Sequence, residues 1–428
     1  MNRSNPSGAG AETVWRRAML VCWIAAMPVT RTFIIGSTRV NLAASDVLTP
    51  FGIAFLAWLA FRGELKLPSL ALCLLMLFAV DASLLMNVGD SLVISGSTGI
   101  LVEMLKVLML WLQFYVVVNA VRTEEDFRLA LRSWIYTSLV ISLVGIAGAM
   151  AWQITGIEND YSLTFRAEGT LGDSNLFAAY LAVSLMLGLL LRQIDRTSRN
   201  LVTIGGVIQI VGIFFSASRG AMLSLTATVL LLAALSMTWK TRIMGAVVVC
   251  VAAVAVIALP GREQLLAATP YTERLATTTV NVNDQAASDR KELWMDAIAN
   301  FEGAPLFGIG RGNFRLTGDL KRTNTVRVHD TFLGIACETG LLGVLAFALA
   351  FFHDALHLIR ERFSAARPFP APTRTLLGAL LITMLCGLTI SIENFRGLWI
   401  LIGFLEAYRR LYGAWGPVSH SSREARGA

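Results

Sequence analysis

Charged residues are scarce in this sequence. Asp, Glu, Lys and Arg account for 15% of its 428 residues, and hydrophobic residues account for 55%. Water-soluble domains carry charge on about a quarter of their residues, so the composition excludes an ordinary soluble protein. A mean hydropathy of +0.63 supports the same conclusion, and no internal repeat or low-complexity array is visible.

Cysteine and histidine are also few, with five and four copies. The cysteines are scattered in or beside apolar runs, without the spacing of a disulfide framework or a metal site, so we interpret them as small buried hydrophobic residues. His353 and His357 fall near the far end of the predicted helix that His329 precedes, and His420 lies in the tail. The sequence therefore predicts neither a metal site nor a cofactor.

Long apolar runs recur along nearly the whole chain. Each is close to the ~20 residues that a helix needs to cross a bilayer. The runs do not alternate as barrel strands do, so they predict helices. The predicted fold is an all-α membrane protein with about twelve transmembrane helices. The predicted spans are 18–35, 43–61, 68–87, 98–120, 132–154, 173–191, 200–215, 219–238, 243–259, 331–352, 374–392 and 396–413.

The distribution of Lys and Arg predicts the orientation. If both termini are cytoplasmic, the inner segments hold 21 Lys and Arg residues and the five short outer loops hold five. This is the positive-inside asymmetry, and in a bacterial inner membrane it makes the outer face periplasmic. The net charge of +7 follows from this topology and does not indicate a nucleic-acid partner. The predicted segments are a tail at 1–17, helices at 18–259, a periplasmic loop at 260–330, helices at 331–413 and a tail at 414–428.

Two outer turns carry arginines. FFSASRGAML, residues 214–223, places Arg219 between two apolar runs. A guanidinium stays charged in such a setting, so Arg219 either binds a specific anion or extends to phospholipid headgroups. The segment FRAEGTLGDSNLFAAYLA contains Arg166 and Asn175, and Asp173 or Ser174 is predicted to cap the helix that follows.

The long outer loop contains a predicted amphipathic helix. Asp289 and Glu292 have capping-box spacing, and an apolar face follows over residues 293–301. Arg290 lies in its first turn, where the helix dipole favours an anion, although a solvated surface arginine is the alternative. GIGRGNF, residues 308–314, lacks the third glycine of a nucleotide loop, so we interpret it as tight turns with Arg311 as an anion-binding candidate.

His329 stands at the outer entrance of the tenth predicted helix, in HDTFLGIACETGLLG. It is either a helix-start histidine bonded to a loop carbonyl or a general base, for which an ordinary pKa of about 6.5 is suitable. Glu103 and Lys106 are spaced to pair within the fourth helix. Glu338 lies within the tenth predicted helix, and Glu393, Asn394 and Arg396 belong to the outer turn before the twelfth.

Four segments together resemble a known family. RAEGTLGDSNLFAAY, SASRGAML, DRKELW with PLFGIGRGNF, and HDTFLGIACETGLLG occur in this order around one large outer loop. In this respect the chain resembles the O-antigen ligase and polymerase superfamily of bacterial polytopic glycosyltransferases, and the resemblance covers essentially the whole chain. It implies a GT-C-like membrane fold with a periplasmic active site.

The resemblance also implies substrates and residue roles. The donor would be a glycan on undecaprenyl diphosphate, and the acceptor a lipid A-core sugar, a growing polysaccharide or a protein hydroxyl. Arg219 and Arg290 would bind the diphosphate, and His329 would activate the acceptor hydroxyl without a metal. Further predicted substrate-binding residues are Arg166, Asn175, Arg311 and Arg396.

Several functions remain open at this stage. Ligation of O-antigen to lipid A-core is the first hypothesis, polymerisation of O-antigen or exopolysaccharide repeats is the second, and protein O-glycosylation is the third. A solute transporter is the alternative from another class. A transporter is expected to have broken helices, midplane polar sites and related halves, whereas the candidate residues here gather on one face. The sequence therefore favours an enzyme.

Overall fold

The computed structural model describes residues 6–35, 38–162, 164–236, 270–271, 285–314, 328–364 and 370–413, and most of these are helical. A short 3₁₀ helix, Arg196–Ser198, lies between the helix that ends at Ile194 and the helix that begins at Arg199. The elements are α1 (Pro6–Ala26), β1 (Thr30–Ile35), β2 (Thr38–Ala43), α2 (Ala44–Val47), α3 (Thr49–Phe61), α4 (Leu70–Met86), α5 (Val88–Ala120), α6 (Glu124–Thr155), α7 (Ser174–Ile194), α8 (Arg199–Ser216), α9 (Arg219–Ser236), α10 (Gln285–Gly303), α11 (Thr331–Ser364), α12 (Ala371–Gly387) and α13 (Arg396–Tyr412).

Five helices among the described residues are long and apolar enough to cross a membrane, and a bent pair makes a sixth. The bent pair joins Leu70–Met86 to Val88–Ile94 at 83°. These helices support an all-α, multi-pass membrane protein, but the predicted total of twelve stays a prediction. The span predicted at 243–259 lies outside the described residues. The five single helices are Gly96–Ala120, Glu124–Thr155, Ser174–Ile194, Arg196–Ser216 and Thr331–Arg360.

The first predicted span differs from the structure at both ends. Helix α1 begins at Pro6, inside the predicted tail, and ends at Ala26. An antiparallel hairpin of β1 and β2 then replaces the end of the predicted span, with Thr30 opposite Ala43. Pro28 has no N–H to continue the helix, and the strands are rich in β-branched residues that favour extended backbone. The backbone N–H of Thr30 donates to the Thr170 carbonyl at 3.0 Å.

Ion pairs connect the segments that were predicted to be cytoplasmic. Arg62 and Arg122 both contact Glu12 and Glu64, which joins α1 to the α3–α4 and α5–α6 connections. The predicted outer segments contact one another as well, because Thr170 bonds to the hairpin. Segments assigned to the same side of the membrane therefore meet at the same end of the helix bundle.

Two helices are broken by glycines with a positive φ. Gly96 in α5 has φ 64° and ψ 175°, and Gly340 in α11 has φ 65° and ψ −166°. Such backbone is accessible to glycine without the steric cost that a Cβ brings. A break inside an apolar helix leaves backbone groups without helical partners, and these groups must be bonded elsewhere.

A buried ion pair at the start of α6 allows a stability test. The Asp126 side chain is fully buried and lies 2.6 Å from the Arg16 guanidinium, and it also accepts the Thr123 N–H. Asp126→Ala leaves Arg16 charged and buried without its partner, so we expect a loss of about 3–5 kcal/mol in unfolding free energy. Denaturant unfolding in detergent measures this loss.

The matched control lies two residues away. Glu124→Ala removes a partner of Arg128 from a pair in which both side chains are about a third or more exposed. Exposed pairs contribute about 0–1 kcal/mol. Equal losses in the two variants would contradict the structural role given to the buried pair.

Candidate active site

The turn between α8 and α9 holds Arg219. Helix α8 ends at Ser216, Ala217 takes a left-handed conformation with φ 48°, and Arg219 is the first residue of α9. The Ser216 Oγ accepts the Ser218 backbone N–H at 3.1 Å and so tightens the turn. The half-buried Arg219 therefore sits at a helix N-terminus, where free N–H groups and the dipole add to its attraction for an anion.

Arg166 and Asn175 brace this same turn. The Arg166 Nε donates to the Ser216 carbonyl at 2.7 Å, and its Nη2 donates to the Asn175 Oδ1 at 2.8 Å. The Ser218 hydroxyl donates to the same Asn175 oxygen at 3.1 Å. The structure thus brings both predicted residues beside Arg219, where they hold its turn in place. Their direct contact with substrate stays a prediction.

Asp173 caps α7, which confirms the predicted cap. Its Oδ1 accepts the backbone N–H groups of Asn175 and Leu176 at 2.7 and 3.0 Å. This bonding fixes where α7 begins and therefore where Asn175 projects. The prediction that Asp289 caps α10 is wrong, because α10 begins four residues earlier, at Gln285.

The α12–α13 connection links the Arg219 turn to the start of α11. A Cβ placed on Gly220 would lie 2.5 Å from the Thr389 Oγ1, so the two segments touch at Gly220, where a larger residue would not fit. Next to it, the Thr331 hydroxyl donates to the Ile390 carbonyl at 2.8 Å and accepts the Ile392 N–H at 2.9 Å. These contacts place Arg219 and the His329 segment at the same end of the bundle.

His329 occupies a strained position immediately before α11. Its φ of 55° is in the left-handed region, which costs a residue with a Cβ about 1–2 kcal/mol. Asp330 then caps α11 by accepting the Leu333 N–H at 2.8 Å. Burial raises the pKa of the Asp330 carboxyl against the opposing effect of these backbone bonds. Strained backbone of this kind is concentrated at functional sites.

Helix α10, which carries Arg290, contacts the segment before His329. The Trp294 indole N–H donates to the Val328 carbonyl at 3.2 Å, one residue before His329. Arg290 lies four residues before Trp294 and hence on the same side of the helix. The buried Leu293 and Ala297 belong to a cluster with Val328, so the apolar face of α10 packs against the bundle. The segments that carry Arg219, Arg290 and His329 are therefore linked by contacts of their neighbours, and a shared site for the three side chains stays a prediction.

Arg311 lies at the break in α11, and its side chain is largely buried. Its guanidinium is 2.9 Å from a Glu338 oxygen and 3.6 Å from a Glu393 oxygen. Glu103 is 3.8 Å away and bonds to Lys106, which confirms the predicted Glu103–Lys106 pair. Three carboxylates thus surround Arg311, and an anion that bound here would have to compete with them.

The glycine-rich loop positions Arg311 by bonding to the broken helix. The N–H groups of Ile309 and Gly310 donate to the Cys337 and Glu338 carbonyls at 3.0 and 3.1 Å. Beyond the break, the Leu341 N–H donates to the Pro305 carbonyl at 2.8 Å. The tight turns expected in this segment are present, since its three glycines have φ between 66° and 100°. They bring the backbone close to α11.

Arg396 forms a separate structural contact. Its Nη2 and Nε bond to the two oxygens of the buried Asp46, which ties the start of α13 to α2. Its Nη1 donates to the Asn394 carbonyl at 3.2 Å. The turn just before Arg396 lines a cavity through Glu393 and Asn394.

Glu168 was not singled out from the sequence. It is buried between Arg166 and Asp173, and desolvation, with a contribution from Asp173, raises its pKa to about 7. Nothing in the local sequence distinguishes it from an exposed loop acid, because its burial comes from tertiary packing. Among the described residues, no group of three His, Cys, Asp or Glu side chains could hold a metal ion.

The contact between loop and broken helix can be tested at Gly308. A Cβ here would lie 2.4 Å from the Glu338 carbonyl carbon, and φ is +66°. Gly308→Ala should therefore lower the stability by about 2–4 kcal/mol, which combines the left-handed and overpacking costs. Thermal unfolding in detergent measures it. Gly303→Ala, which has nothing within 4 Å of its added Cβ, is the control, and equal Tm values would refute the close packing.

Glu168 predicts a pH dependence of stability. Because its pKa in the folded protein is raised to about 7, ionisation opposes folding, and the stability it contributes below its unfolded pKa of ~4.3 is lost as pH rises through 7. Glu168→Gln should therefore raise Tm at pH 8 more than at pH 5. The exposed Glu158→Gln should change neither value. A Glu168→Gln effect that is the same at both pH values would contradict the raised pKa.

A comparison with known proteins agrees with the motifs. Residues 204–348 match the family model described as O-antigen ligase. The match spans α8 to α11 and includes Arg219, Arg290, Arg311 and His329. No curated protein matches the chain. Over residues 204–348 the chain is thus similar to the O-antigen ligase family, which supports the resemblance to the O-antigen ligase and polymerase superfamily.

Proposed function

We propose that this protein is a membrane glycosyltransferase that moves a glycan from undecaprenyl diphosphate to an acceptor hydroxyl, as an O-antigen ligase does. The observation that carries the proposal is the O-antigen ligase match over residues 204–348, a segment that contains Arg219, Arg290 and His329. The preferred acceptor is a lipid A-core sugar. The predicted orientation places this end of the bundle at the periplasmic face of the bacterial inner membrane.

The two arginines suit the donor. When the acceptor oxygen attacks the anomeric carbon, the bond from that carbon to the diphosphate oxygen breaks and negative charge grows on the leaving diphosphate. Guanidinium groups fixed in a partly dry site stabilise this charge more than water does. Arg219 adds the N-terminus of α9 to its own charge. A lipid-linked diphosphate also arrives at the membrane boundary, which is the depth expected for a turn between two spans.

His329 suits the acceptor. As the acceptor oxygen bonds to the anomeric carbon, its proton must leave, and a neutral imidazole accepts it. The left-handed backbone of His329 sets the direction of its side chain at a cost that the fold has to offset. The released product is undecaprenyl diphosphate, which keeps both bonding electrons of the broken bond.

A polymerase and a transporter are the two other candidate functions. A polymerase of O-antigen or exopolysaccharide repeats would use the same residues on a growing chain. The breaks at Gly96 and Gly340, with charged groups beside the second, are features that transporters also use. The O-antigen ligase match favours group transfer over transport.

A deletion strain tests these alternatives. A ligase predicts bare lipid A-core together with long glycans on undecaprenyl diphosphate. A polymerase predicts single repeat units on the carrier and a capped or missing polymer. Unchanged pools of both would contradict glycosyl transfer and favour transport.

Complementation of this strain tests the residues. Arg219→Ala and Arg290→Ala should each lower transfer about 100- to 1,000-fold through lost charge stabilisation. His329→Ala should lower it about 100- to 10,000-fold through loss of the base. Glycan gels and carrier-lipid extraction measure the transfer.

The control is Arg31→Ala, since Arg31 lies on the hairpin and forms an exposed pair with Asp160. It should complement fully. Full complementation by Arg219→Ala or His329→Ala, at equal protein levels in the membrane, would remove these residues from the mechanism.

A further inference from the structure

A polar cavity lies next to the His329 segment. Val328, the residue before His329, lies in its wall with Gly334 and Phe314. The break in α11 contributes Glu338, the glycine-rich loop contributes Arg311, and the α12–α13 connection contributes Ser391, Glu393 and Asn394.

The cavity is lined by more acidic than basic side chains. Three carboxylates, Glu103, Glu338 and Glu393, line it together with two cations, Lys106 and Arg311. The ion pairs described above do not use every acceptor, because the Glu393 Oε2 is buried without a hydrogen-bond partner. Formal charge and hydrogen bonding therefore both leave an excess of acceptors, and a fitting ligand would supply donors.

The excess of carboxylates discriminates between ligand classes. A phosphate or a uronic acid would bring a further negative charge next to three carboxylates in a poorly solvated space, and like charges repel strongly there. Sugar hydroxyls donate to carboxylates and accept from guanidinium, ammonium and amide groups, and all of these line the wall. Phe314 supplies an apolar surface beside them.

We propose that this cavity is the subsite for the acceptor saccharide, and that it selects a neutral or amino sugar over a phosphorylated or acidic one. The assignment to the acceptor rests on the proposed function, whereas the binding preference rests on the cavity itself. The acidic cavity and the arginines at Arg219 and Arg290 would then keep the two substrates apart. His329 would stand between them, at the rim of the acceptor cavity.

Binding of four related sugars tests the preference. The full chain in lipid nanodiscs is mixed with glucose, glucosamine, glucuronate or glucose 6-phosphate, which share one ring and differ in charge. Saturation-transfer NMR in slightly acidic buffer is expected to rank glucosamine first, glucose second and the two anions last. Equal or stronger binding of either anion would overturn the proposal, and so would the absence of a signal from all four sugars.

Two variants locate the binding. Glu393→Gln keeps the shape of the side chain and removes one negative charge, so glucosamine should bind about tenfold more weakly, as expected for one lost charged hydrogen bond. Gly334→Phe fills the cavity and should abolish the signal of every sugar. Glu158→Gln, which changes an exposed acid, should leave the ranking intact. Unchanged ranking in Glu393→Gln would overturn the proposed site.

Binding of undecaprenyl diphosphate distinguishes a variant with an altered cavity from a variant that does not fold. Variants that retain it are folded, so a loss of sugar binding can be attributed to the cavity. If transfer occurs in the deletion strain complemented by wild-type protein but not with Glu393→Gln, the acceptor assignment is supported. If the sugars bind as expected and no transfer is found, the cavity remains a sugar site and the proposed function fails. Transfer at the wild-type rate in both cavity variants would overturn the acceptor assignment alone.

Discussion

The break in α11 is the constraint on which the rest of the site depends. Backbone carbonyls and N–H groups that lose their helical partners inside an apolar bundle must be bonded by something else. The loop from Pro305 to Gly310 does this on both sides of Gly340. The docked loop carries Arg311 to Glu338, and the N–H of Trp294, on the preceding helix, bonds to the chain just before His329. Loop, α10 and α11 are therefore positioned together.

Positive and negative side chains of the candidate site lie on different elements. Arg219 is held by a turn that Arg166 and Asn175 brace, whereas three carboxylates surround Arg311. The Arg219 turn meets the His329 segment through Thr389 and Thr331. A basic region and an acidic cavity are thus built from different elements. The proposed reaction, between an anionic donor and a hydroxyl-bearing acceptor, would use such a separation.

Sequence patterns identified the parts that depend on local chemistry. Apolar length predicted most of the helices, and the Asp173 cap and the Glu103–Lys106 pair followed from spacing along one helix. The end of the first predicted span was wrong, because hydropathy does not separate an apolar helix from the β-branched hairpin that follows Pro28. The two helix breaks were not predicted either, since a glycine in an apolar run is equally compatible with an intact helix.

Local features of the sequence were enough to predict a membrane protein, the segments that share an end of the bundle, and the motifs that carry the family resemblance. These properties follow from hydropathy, from the distribution of Lys and Arg, and from short-range order. Three further features became visible in the folded chain: Arg166 and Asn175 brace a turn, Arg396 binds Asp46, and carboxylates enclose Arg311. Each of these outcomes joins residues far apart in the chain, and long-range pairing depends on packing that no local pattern records.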